Sequence, residues 1–426
     1  MPQTRSLAST ALLTLFCVAP MFGAARLTYH TGGNAVPVAW KASLFPIQYS
    51  IDRKMADALP GAADLIDKAA REWAAVSDAR ISFQNLGVAA GAKAGKDGRN
   101  SVTLVDDLFA NQNFIALTTN WYDDNAQIIE ADVQVDATAI SGGYNLQQLV
   151  EHEFGHLLGL DHSAVLSSMM YPYVGRSGST SLDSDDKIAI ATAYPKNDPG
   201  PGSTLEGRVF GDGGGIFAAQ VVAVNERGEP VASGLTRENG EFSLAGVPAG
   251  NYRIYAEPLD GPVDVRNLSG MWRNAKLVSF PTQFAEGGAI RVENGKLYGN
   301  ISVNGSGVVR LNPKWLGSSA PGSGSLALGA MPVTIHAGDT VAITVGGDGF
   351  TSGMTKLDIP NPSFQRVSDF TWSSNYVSAT YKVAADTPPG STVIMVNSGN
   401  ESAALTGALR VEAGSTGGSR GRSVRR

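Results

Sequence analysis

The chain is poor in cysteine and histidine and has no surplus of positive charge. Among its 426 residues there are one cysteine, Cys17, and five histidines. The formal net charge is −6, which offers no electrostatic basis for binding nucleic acid. Beyond the first 25 residues no segment is long and apolar enough to span a membrane. One cysteine also excludes a disulfide framework and a metal site built from several thiolates.

The N-terminal 25 residues predict a secretory signal peptide. Arg5 provides a positive n-region, and residues 11–20 form an apolar stretch, "ALLTLFCVAP", that is short for a membrane span. Small residues at 23–25, "GAA", suit a signal peptidase, and cleavage there would remove Cys17. We therefore expect an exported protein without disulfides that is secreted or extracellular, with periplasmic or cell-surface retention as alternatives.

A change in sequence patterning predicts three domains and a tail. Residues 26–197 mix strand and helix signals, which indicates an α/β domain that we expect to fold alone. After the breaker-rich linker at 197–203 the helix signals stop. Short alternating runs separated by turn residues predict two all-β sandwich modules at 203–313 and 331–413. The basic segment 414–426 has the composition of a disordered tail.

Periodicity within the first domain predicts the elements around its sheet. Strand patterns cover 45–51, 80–86 and 101–106, a hairpin joins 114–122 to 128–137, and helical patterns cover 62–76 and 144–160. The second of these helices begins after Asn145, a favourable N-cap residue.

Three of the five histidines lie in the segment 151–162, "EHEFGHLLGLDH". His152 and His156 are four residues apart, so they project from one face of the predicted helix. Gly159 can adopt the left-handed conformation that ends a helix, and the returning chain then brings His162 to the same point. Three imidazoles with a fourth position open to water are typical of a catalytic zinc ion.

The glutamate inside this cluster predicts the chemistry of the site. Glu153 adjoins a zinc ligand, so it can accept a proton from the attacking water and pass it to the leaving amine. A bound zinc ion lowers the pKa of its water toward about 7 and polarises the scissile carbonyl. The pattern H-E-x-x-H occurs by chance, whereas H-E-x-x-H-x-x-G-x-x-H on a predicted helix is specific. The residues therefore predict peptide-bond hydrolysis.

The stretch "HEFGHLLGLDHS" resembles the metzincin zinc peptidases, in which this motif precedes a Met-turn. Ser163 after the third histidine is the variant found in matrixins, the group of matrix metalloproteinases and their bacterial relatives. The resemblance covers approximately residues 36–196. It implies a zincin-like α/β catalytic domain, with a twisted five-stranded sheet over an active-site helix and one catalytic Zn²⁺.

The resemblance also implies roles for residues outside the motif. The segment "SMMYPY" resembles the matrixin Met-turn, which makes Met170 the methionine beneath the zinc, with Met169 as the alternative. The edge strand of the sheet would bind an extended substrate through main-chain hydrogen bonds, and Pro172 and Tyr173 match one wall of the primed-side pocket. The implied substrate-binding residues are Ala116, Leu117, Thr118, Pro172 and Tyr173.

Other features of the human-type enzymes have no counterpart here. The chain lacks their propeptide cysteine and the histidines of their second, structural zinc site. Asp123, Asp124 and Asn125 offer oxygen ligands for Ca²⁺, but a polar hairpin turn accounts for them better. No specific motif supports calcium.

The all-β modules leave a second class of function open. The module at 203–313 resembles the carboxypeptidase regulatory-like sandwich, and that at 331–413 resembles the IPT/TIG Ig-like fold. Such modules bind a surface, a polysaccharide or a protein partner. The alternatives are thus a surface-binding or adhesion protein with a vestigial zincin domain, and a zinc hydrolase of non-peptide substrates. Retention of Glu153 favours a secreted zinc endopeptidase acting on proteins or peptides.

Overall fold

The computed structural model describes residues 26–31, 34–106, 114–176, 178–323 and 326–413. The predicted signal peptide and the predicted basic tail lie outside the described residues. Within the described part of the chain, no helix has both the length and the apolar character needed to cross a membrane.

The first domain is built on a mixed β-sheet. The strands of the domain are β1 (Thr28–Thr31), β2 (Asn34–Pro37), β3 (Ala39–Trp40), β4 (Ile47–Asp52), β5 (Phe83–Ala89), β6 (Asn100–Val105), β7 (Ala116–Tyr122) and β8 (Gln127–Asp136). The first two, β1 and β2, pair with each other in a separate two-stranded sheet. The order β5-β4-β6-β8-β7 is parallel except for β7, which pairs antiparallel with β8 as the predicted hairpin requires. The five-stranded prediction omitted β3, a sixth strand that pairs with the start of β8 and is too short to show periodicity.

Five helices belong to the first domain, and α4 among them carries two of the three clustered histidines. They are α1 (Arg53–Ala58), α2 (Ala62–Ala74), α3 (Ala137–Ser141), α4 (Leu146–Leu157) and α5 (Ser184–Ala193). Helix α4 begins as predicted, because the Asn145 side chain accepts hydrogen bonds from the N–H groups of Gln147 and Gln148. It is anchored to α2 by the fully buried Trp73, whose indole N–H donates to the Glu151 carbonyl at 2.8 Å.

Gly159 ends helix α4 and turns the chain back, as its sequence position predicts. Its φ is +85°, in the left-handed region that favours glycine. A Cβ at this position would lie 2.5 Å from the carbonyl oxygen of Val38, so a side chain would also collide with the neighbouring backbone. The tight reversal allows His162 to approach the helix that carries His152 and His156.

The second module consists of two facing sheets. Its strands are β9 (Ser203–Gly211), β10 (Gly214–Gly215), β11 (Gln220–Val224), β12 (Pro230–Leu235), β13 (Glu241–Val247), β14 (Gly250–Glu257), β15 (Gln283–Phe284), β16 (Ile290–Val292) and β17 (Leu297–Asn304). One sheet joins β10, β13 and β17 to β9, and the other has the order β12-β11-β14-β15 with β16 against β14. Apolar residues of both sheets form one core.

The third module repeats this two-sheet arrangement. Its strands are β18 (Asn312–Ser319), β19 (Val333–His336), β20 (Thr340–Asp348), β21 (Lys356–Asp358), β22 (Phe364–Arg366), β23 (Thr371–Trp372), β24 (Tyr376–Val383), β25 (Gly390–Ser398) and β26 (Glu401–Glu412). The sheets have the orders β18-β20-β24-β22, with β23 against β24, and β19-β26-β25-β21. The predicted start at 331 is too late, because β18 already pairs with β20.

The three parts are joined by buried polar contacts. Asp185 of α5 accepts hydrogen bonds from the backbone N–H and the hydroxyl of Ser233, in the second module, at 2.7 and 3.0 Å. Asp183 accepts one from Ser391 of the third module at 2.9 Å. The Leu166 N–H donates to the Thr406 carbonyl at 2.8 Å. These contacts connect the three parts of the chain, and independent folding of residues 26–197 stays a prediction.

Candidate metal centre

The three histidines predicted as ligands converge on one point. The ligand atoms of His152, His156 and His162 lie within 4.8 Å of one another, and the ring centroids are 4.7 to 5.3 Å apart. His152 and His156 extend from one face of α4, and His162 returns after the Gly159 reversal. Among the described residues this is the one group of three or more His, Cys, Asp or Glu side chains arranged to hold a metal ion.

Hydrogen bonds to carbonyl oxygens set the tautomer of each ring. Nδ1 of His152 lies 2.7 Å from the Met169 carbonyl oxygen, and Nδ1 of His156 lies 2.9 Å from that of Leu160. Nδ1 of His162 lies 2.5 Å from the carbonyl oxygen of Asn267. A carbonyl oxygen only accepts, so each Nδ1 carries the proton and each neutral ring presents an unprotonated Nε2. This arrangement prepares a histidine to bind a metal.

The facing nitrogens fit a tetrahedral ion. Nε2 of His156 and Nε2 of His162 are 3.3 Å apart, and both are acceptors in the tautomers just described. Two lone pairs at this distance repel each other unless a cation lies between them. Tetrahedral bonds of about 2.0–2.1 Å place ligand nitrogens about 3.3 Å apart, so the donor set matches zinc.

Burial keeps two of the rings neutral. It lowers the pKa of His152 to about 3, and the neighbouring His162 adds to this effect. Burial likewise lowers the pKa of His156 well below its ordinary value, with further contributions from His162 and His152. Neutral imidazole is the form that ligates metals, so these environments suit metal binding without prior loss of a proton.

Glu153 lies on α4 beside this centre and contacts the edge strand. The hydroxyl of Thr118 is 2.7 Å from Oε2 of Glu153 and 2.9 Å from the Glu153 carbonyl oxygen. Burial raises the pKa of Glu153 to about 7, and the Thr118 hydrogen bond opposes the increase. A carboxyl with a pKa near neutrality can both take up and release a proton at physiological pH.

The predicted Met-turn passes directly beneath α4. A Cβ on Gly155 would lie 2.1 Å from the Met170 sulfur, so the absence of a side chain at this position makes room for the methionine. Met169 is placed differently, because it contributes its carbonyl oxygen to His152. The geometry therefore favours Met170 over Met169 as the methionine under the centre.

A buried aspartate of α5 holds this turn. Asp186 accepts from the N–H of Met169 at 2.7 Å, from the N–H of Met170 at 3.3 Å and from the hydroxyl of Ser168 at 2.5 Å. Helix α5 is thereby connected to the Met-turn beneath the metal centre.

The predicted substrate-binding residues lie on two sides of the histidines. Ala116, Leu117 and Thr118 belong to β7, a half-buried strand whose outer edge pairs with no strand in the described ranges. The Thr118 side chain faces inward to Glu153, so its contribution to substrate contact is limited to its backbone. Pro172 and Tyr173 follow the Met-turn, and Tyr173 is 44% exposed.

The acidic hairpin turn considered for calcium has local partners. Oδ1 of Asp123 accepts from the N–H groups of Asn125 and Gln127, both at 2.9 Å. These bonds account for the aspartate as a turn residue between β7 and β8.

Three contacts at the centre connect residues that are distant in sequence, and sequence reasoning missed them. Besides Thr118 and Asn267, Asn120 donates from its amide to the His156 carbonyl oxygen at 2.8 Å. Polar residues at alternate positions of the edge strand were the available signal, since Thr118 and Asn120 face the same side. No local signal pointed to Asn267.

The fold and the centre together define the class: a zincin-like α/β domain with a three-histidine metal site. Comparison with known families makes this specific, because residues 39–195 match the family model of Matrixin. This match agrees with the family resemblance that the sequence motif indicated. The match does not extend to the two β modules.

Curated relatives match short stretches of the chain. The chain is 48% identical to the hatching enzyme of Paracentrotus lividus over 67 residues, which are 16% of this chain and 11% of that protein. It is 44% identical to interstitial collagenase of Bos taurus over 57 residues, 13% of this chain and 12% of that protein. Karilysin of Tannerella forsythia is 41% identical over 66 residues, 15% and 14% respectively. The chain therefore spans only 11–14% of the length of these relatives.

Similarity to solved structures adds little. The major pilin subunit of Bacillus cereus aligns with 50% of this chain and 69% of its own, at 11% identity and a TM-score of 0.16. That score is too low to assign a fold.

Proposed function

We propose that this protein is a secreted zinc-dependent endopeptidase. His152, His156 and His162 would hold one catalytic Zn²⁺, and Glu153 would act as the general base. The segment at 1–25 supports export, and the matrixin match supports metal-dependent hydrolysis of peptide bonds. The proposal depends above all on the 3.3 Å approach of two unprotonated Nε2 atoms, an arrangement that a bound cation would stabilise.

The residues around the centre suit hydrolysis by water. Zinc, when bound, supplies a Lewis acid that lowers the pKa of a water molecule and polarises the scissile carbonyl. Glu153 accepts the proton of the attacking water and later donates it to the departing amine, so no covalent intermediate with the protein is required. Its raised pKa suits both steps, and Thr118 holds the carboxylate in place.

The edge strand and the segment after the Met-turn would bind the substrate. Extended peptide can add to the outer edge of β7 through main-chain hydrogen bonds at Ala116, Leu117 and Thr118. Pro172 and Tyr173 would form one wall of the primed-side pocket. Proteins or peptides in extended form are thus the proposed substrates, while the surface, polysaccharide or protein partners of the β modules stay predictions.

Cleavage of a denatured protein tests the activity. The purified chain should cleave it, a chelator should abolish cleavage, and added Zn²⁺ should restore it. If the chain cleaves nothing and yet adheres to a surface, the adhesion alternative is correct. Chelator-sensitive hydrolysis of esters without peptide cleavage would support the third alternative, a non-peptide hydrolase.

Metal analysis of a histidine variant tests the ligand set. His162→Ala should weaken zinc binding strongly, because it removes one of three protein ligands. His336→Ala is a matched control, since His336 lies half-exposed in the third module and makes its contacts with Asp339 and Glu412. Stoichiometric zinc in the His162→Ala variant at low free metal would refute the three-histidine assignment.

A further inference from the structure

We infer that Asn267 of the second module is a positioning residue of the metal centre. Its main-chain carbonyl oxygen lies 2.5 Å from Nδ1 of His162, the third proposed ligand, across 105 residues of sequence. The inference rests on the proposed zinc site, and it adds that this site is completed by a module outside the matrixin domain.

The other two rings do not depend on the second module. His152 and His156 are held by the carbonyl oxygens of Met169 and Leu160, which belong to the same domain as the rings. His162 follows the Gly159 reversal and lies beyond the end of α4, so the helix does not fix its orientation. The carbonyl oxygen that sets its tautomer comes from the other module.

Hydrogen bonds within the segment 264–269 keep that carbonyl in place. The N–H of Asp264 donates to Oδ1 of Asn267 at 3.0 Å, and the N–H of Asn267 donates to the Asp264 carbonyl at 2.9 Å. This reciprocal pair closes a 3-10 turn, Val265–Asn267. Leu268, next in sequence, is buried and anchors the turn to the module.

A second contact connects the same segment to the same ligand. The N–H of Ser269 donates to Oδ2 of Asp161 at 2.8 Å, while Oδ1 of Asp161 accepts from the backbone N–H of His162 at 2.8 Å. The Asp161 carboxylate is buried and bridges the two chain segments. Ring and backbone of His162 are therefore both fixed relative to residues 264–269.

The Asn267 side chain also reaches the proposed primed-side wall. Its amide lies 3.3 Å from the hydroxyl of Tyr173, so one residue contacts both a metal ligand and the pocket wall. Rotation of His162 and displacement of Tyr173 are thereby coupled to the position of the second module. Loss of an outer-shell partner of a metal ligand typically lowers metal affinity 10–100-fold.

Three substitutions in the full-length chain test this role. Asn267→Gly removes the side-chain acceptor for the Asp264 N–H and frees the backbone that presents the carbonyl. Asn267→Asp retains an acceptor at that position, and its charge does not oppose a cation. Arg266→Ala is the segment control, because the Arg266 side chain is exposed and bonds to Asp264 within the segment.

Zinc affinity, measured by competition with a chromophoric chelator, is the first readout. We expect Asn267→Gly to bind Zn²⁺ about tenfold more weakly than wild type. Asn267→Asp and Arg266→Ala should remain within about threefold. Circular dichroism establishes that each variant is folded. A folded Asn267→Gly variant with wild-type zinc affinity would overturn the inference.

The tautomer of His162 is the second readout, and it requires no variant that alters the segment. In the metal-free wild-type protein, ¹⁵N resonances of the histidine rings, assigned with His162→Ala, should show His162 protonated at Nδ1. Protonation at Nε2 would overturn the inference even if Asn267→Gly failed to fold. Neither readout uses proteolysis, so a wild-type chain without peptidase activity would count against the proposed function alone.

Discussion

The hydroxyl of Thr118 in the edge strand lies 2.7 Å from the carboxylate of Glu153 in helix α4. Strand β7 therefore has two tasks in the proposed enzyme: its backbone edge is available to substrate, and its inward side chain holds the general base. Thr118 lies 35 residues from Glu153 in sequence, and the contact arises because β7 runs beside α4, where Asn120 also donates to the His156 carbonyl oxygen.

Replacing Thr118 by valine should shift the pH dependence of catalysis. The hydroxyl lowers the pKa of Glu153 against the larger effect of burial, so its loss should raise that pKa further above about 7. Less carboxylate is then present at neutral pH, and the acid limb of kcat/KM should move to higher pH by about one unit. Thr119→Val, on the opposite face of β7, should leave the limb in place. An unshifted limb for Thr118→Val would show that the hydroxyl does not act on the base.

Replacing Gly155 by alanine should destabilise the fold. Alanine is favoured over glycine by about 1 kcal/mol in an ordinary helix. Here the added Cβ would lie 2.1 Å from the Met170 sulfur and 3.0 Å from the Trp73 ring, and overpacking of this kind costs about 1–3 kcal/mol. Denaturant unfolding should show a net loss in the free energy of unfolding, and the same Gly155→Ala substitution should cost less when it is made in a Met170→Ala background. A more stable Gly155→Ala protein would place Met170 elsewhere.

The isolated first domain should be less stable than the full chain. Leu166 and Tyr171 are buried among core residues of the third module, and the Tyr171 hydroxyl donates to the Ala330 carbonyl oxygen at 2.5 Å. A fragment of residues 26–197 exposes both side chains to water, which lowers its free energy of unfolding by about 3 kcal/mol or more. Thermal unfolding should therefore start several degrees lower than in the full chain. Equal melting temperatures would support the sequence-based expectation of an independent domain.

A buried glutamate at the junction of the β modules should make stability pH-dependent. Burial raises the pKa of Glu257 from 4.5 to about 8, while the Thr406 hydroxyl, 2.6 Å away, opposes this. Because the folded-state pKa exceeds the unfolded one, the stabilisation is complete below pH 4.5 and is lost as pH rises through 8. Glu257→Gln keeps an acceptor for Thr406 without a titrating group, so its melting temperature relative to wild type should increase from pH 5 to pH 9. A difference in melting temperature that does not change with pH would contradict the raised pKa of Glu257.

The sequence predicted those parts of the site that local geometry determines. Helical spacing places His152 and His156 together, and a glycine with positive φ returns His162 to them, so one twelve-residue segment contains the proposed ligand set and the base. The long strands and α4 with its Asn145 cap were predictable for the same reason, since their periodicity and end signals lie within each element.

Contacts between distant segments were beyond this kind of reasoning. The Asn267 carbonyl belongs to the backbone and would be present with any residue at this position. Composition and spacing therefore cannot predict its contact with His162. Strand β3 is too short to show periodicity, and β18 lacks clear alternation, which explains the missed sixth strand and the late start of the third module. Asp183 and Asp185 bond to residues of other modules, so no pattern within one segment predicts these contacts.

The most direct test of the proposed mechanism is the substitution Glu153→Gln, with zinc content and kcat/KM on a quenched peptide measured for variant and wild type. Glutamine keeps the size of the side chain and an acceptor for Thr118 but removes the basic carboxylate, and the three imidazoles are unchanged. We predict wild-type zinc content and a loss in kcat/KM of at least about 10²–10⁴-fold, the usual contribution of a general base. Wild-type zinc with less than about a tenfold loss, ~1.4 kcal/mol of transition-state stabilisation, would show that Glu153 is not the base.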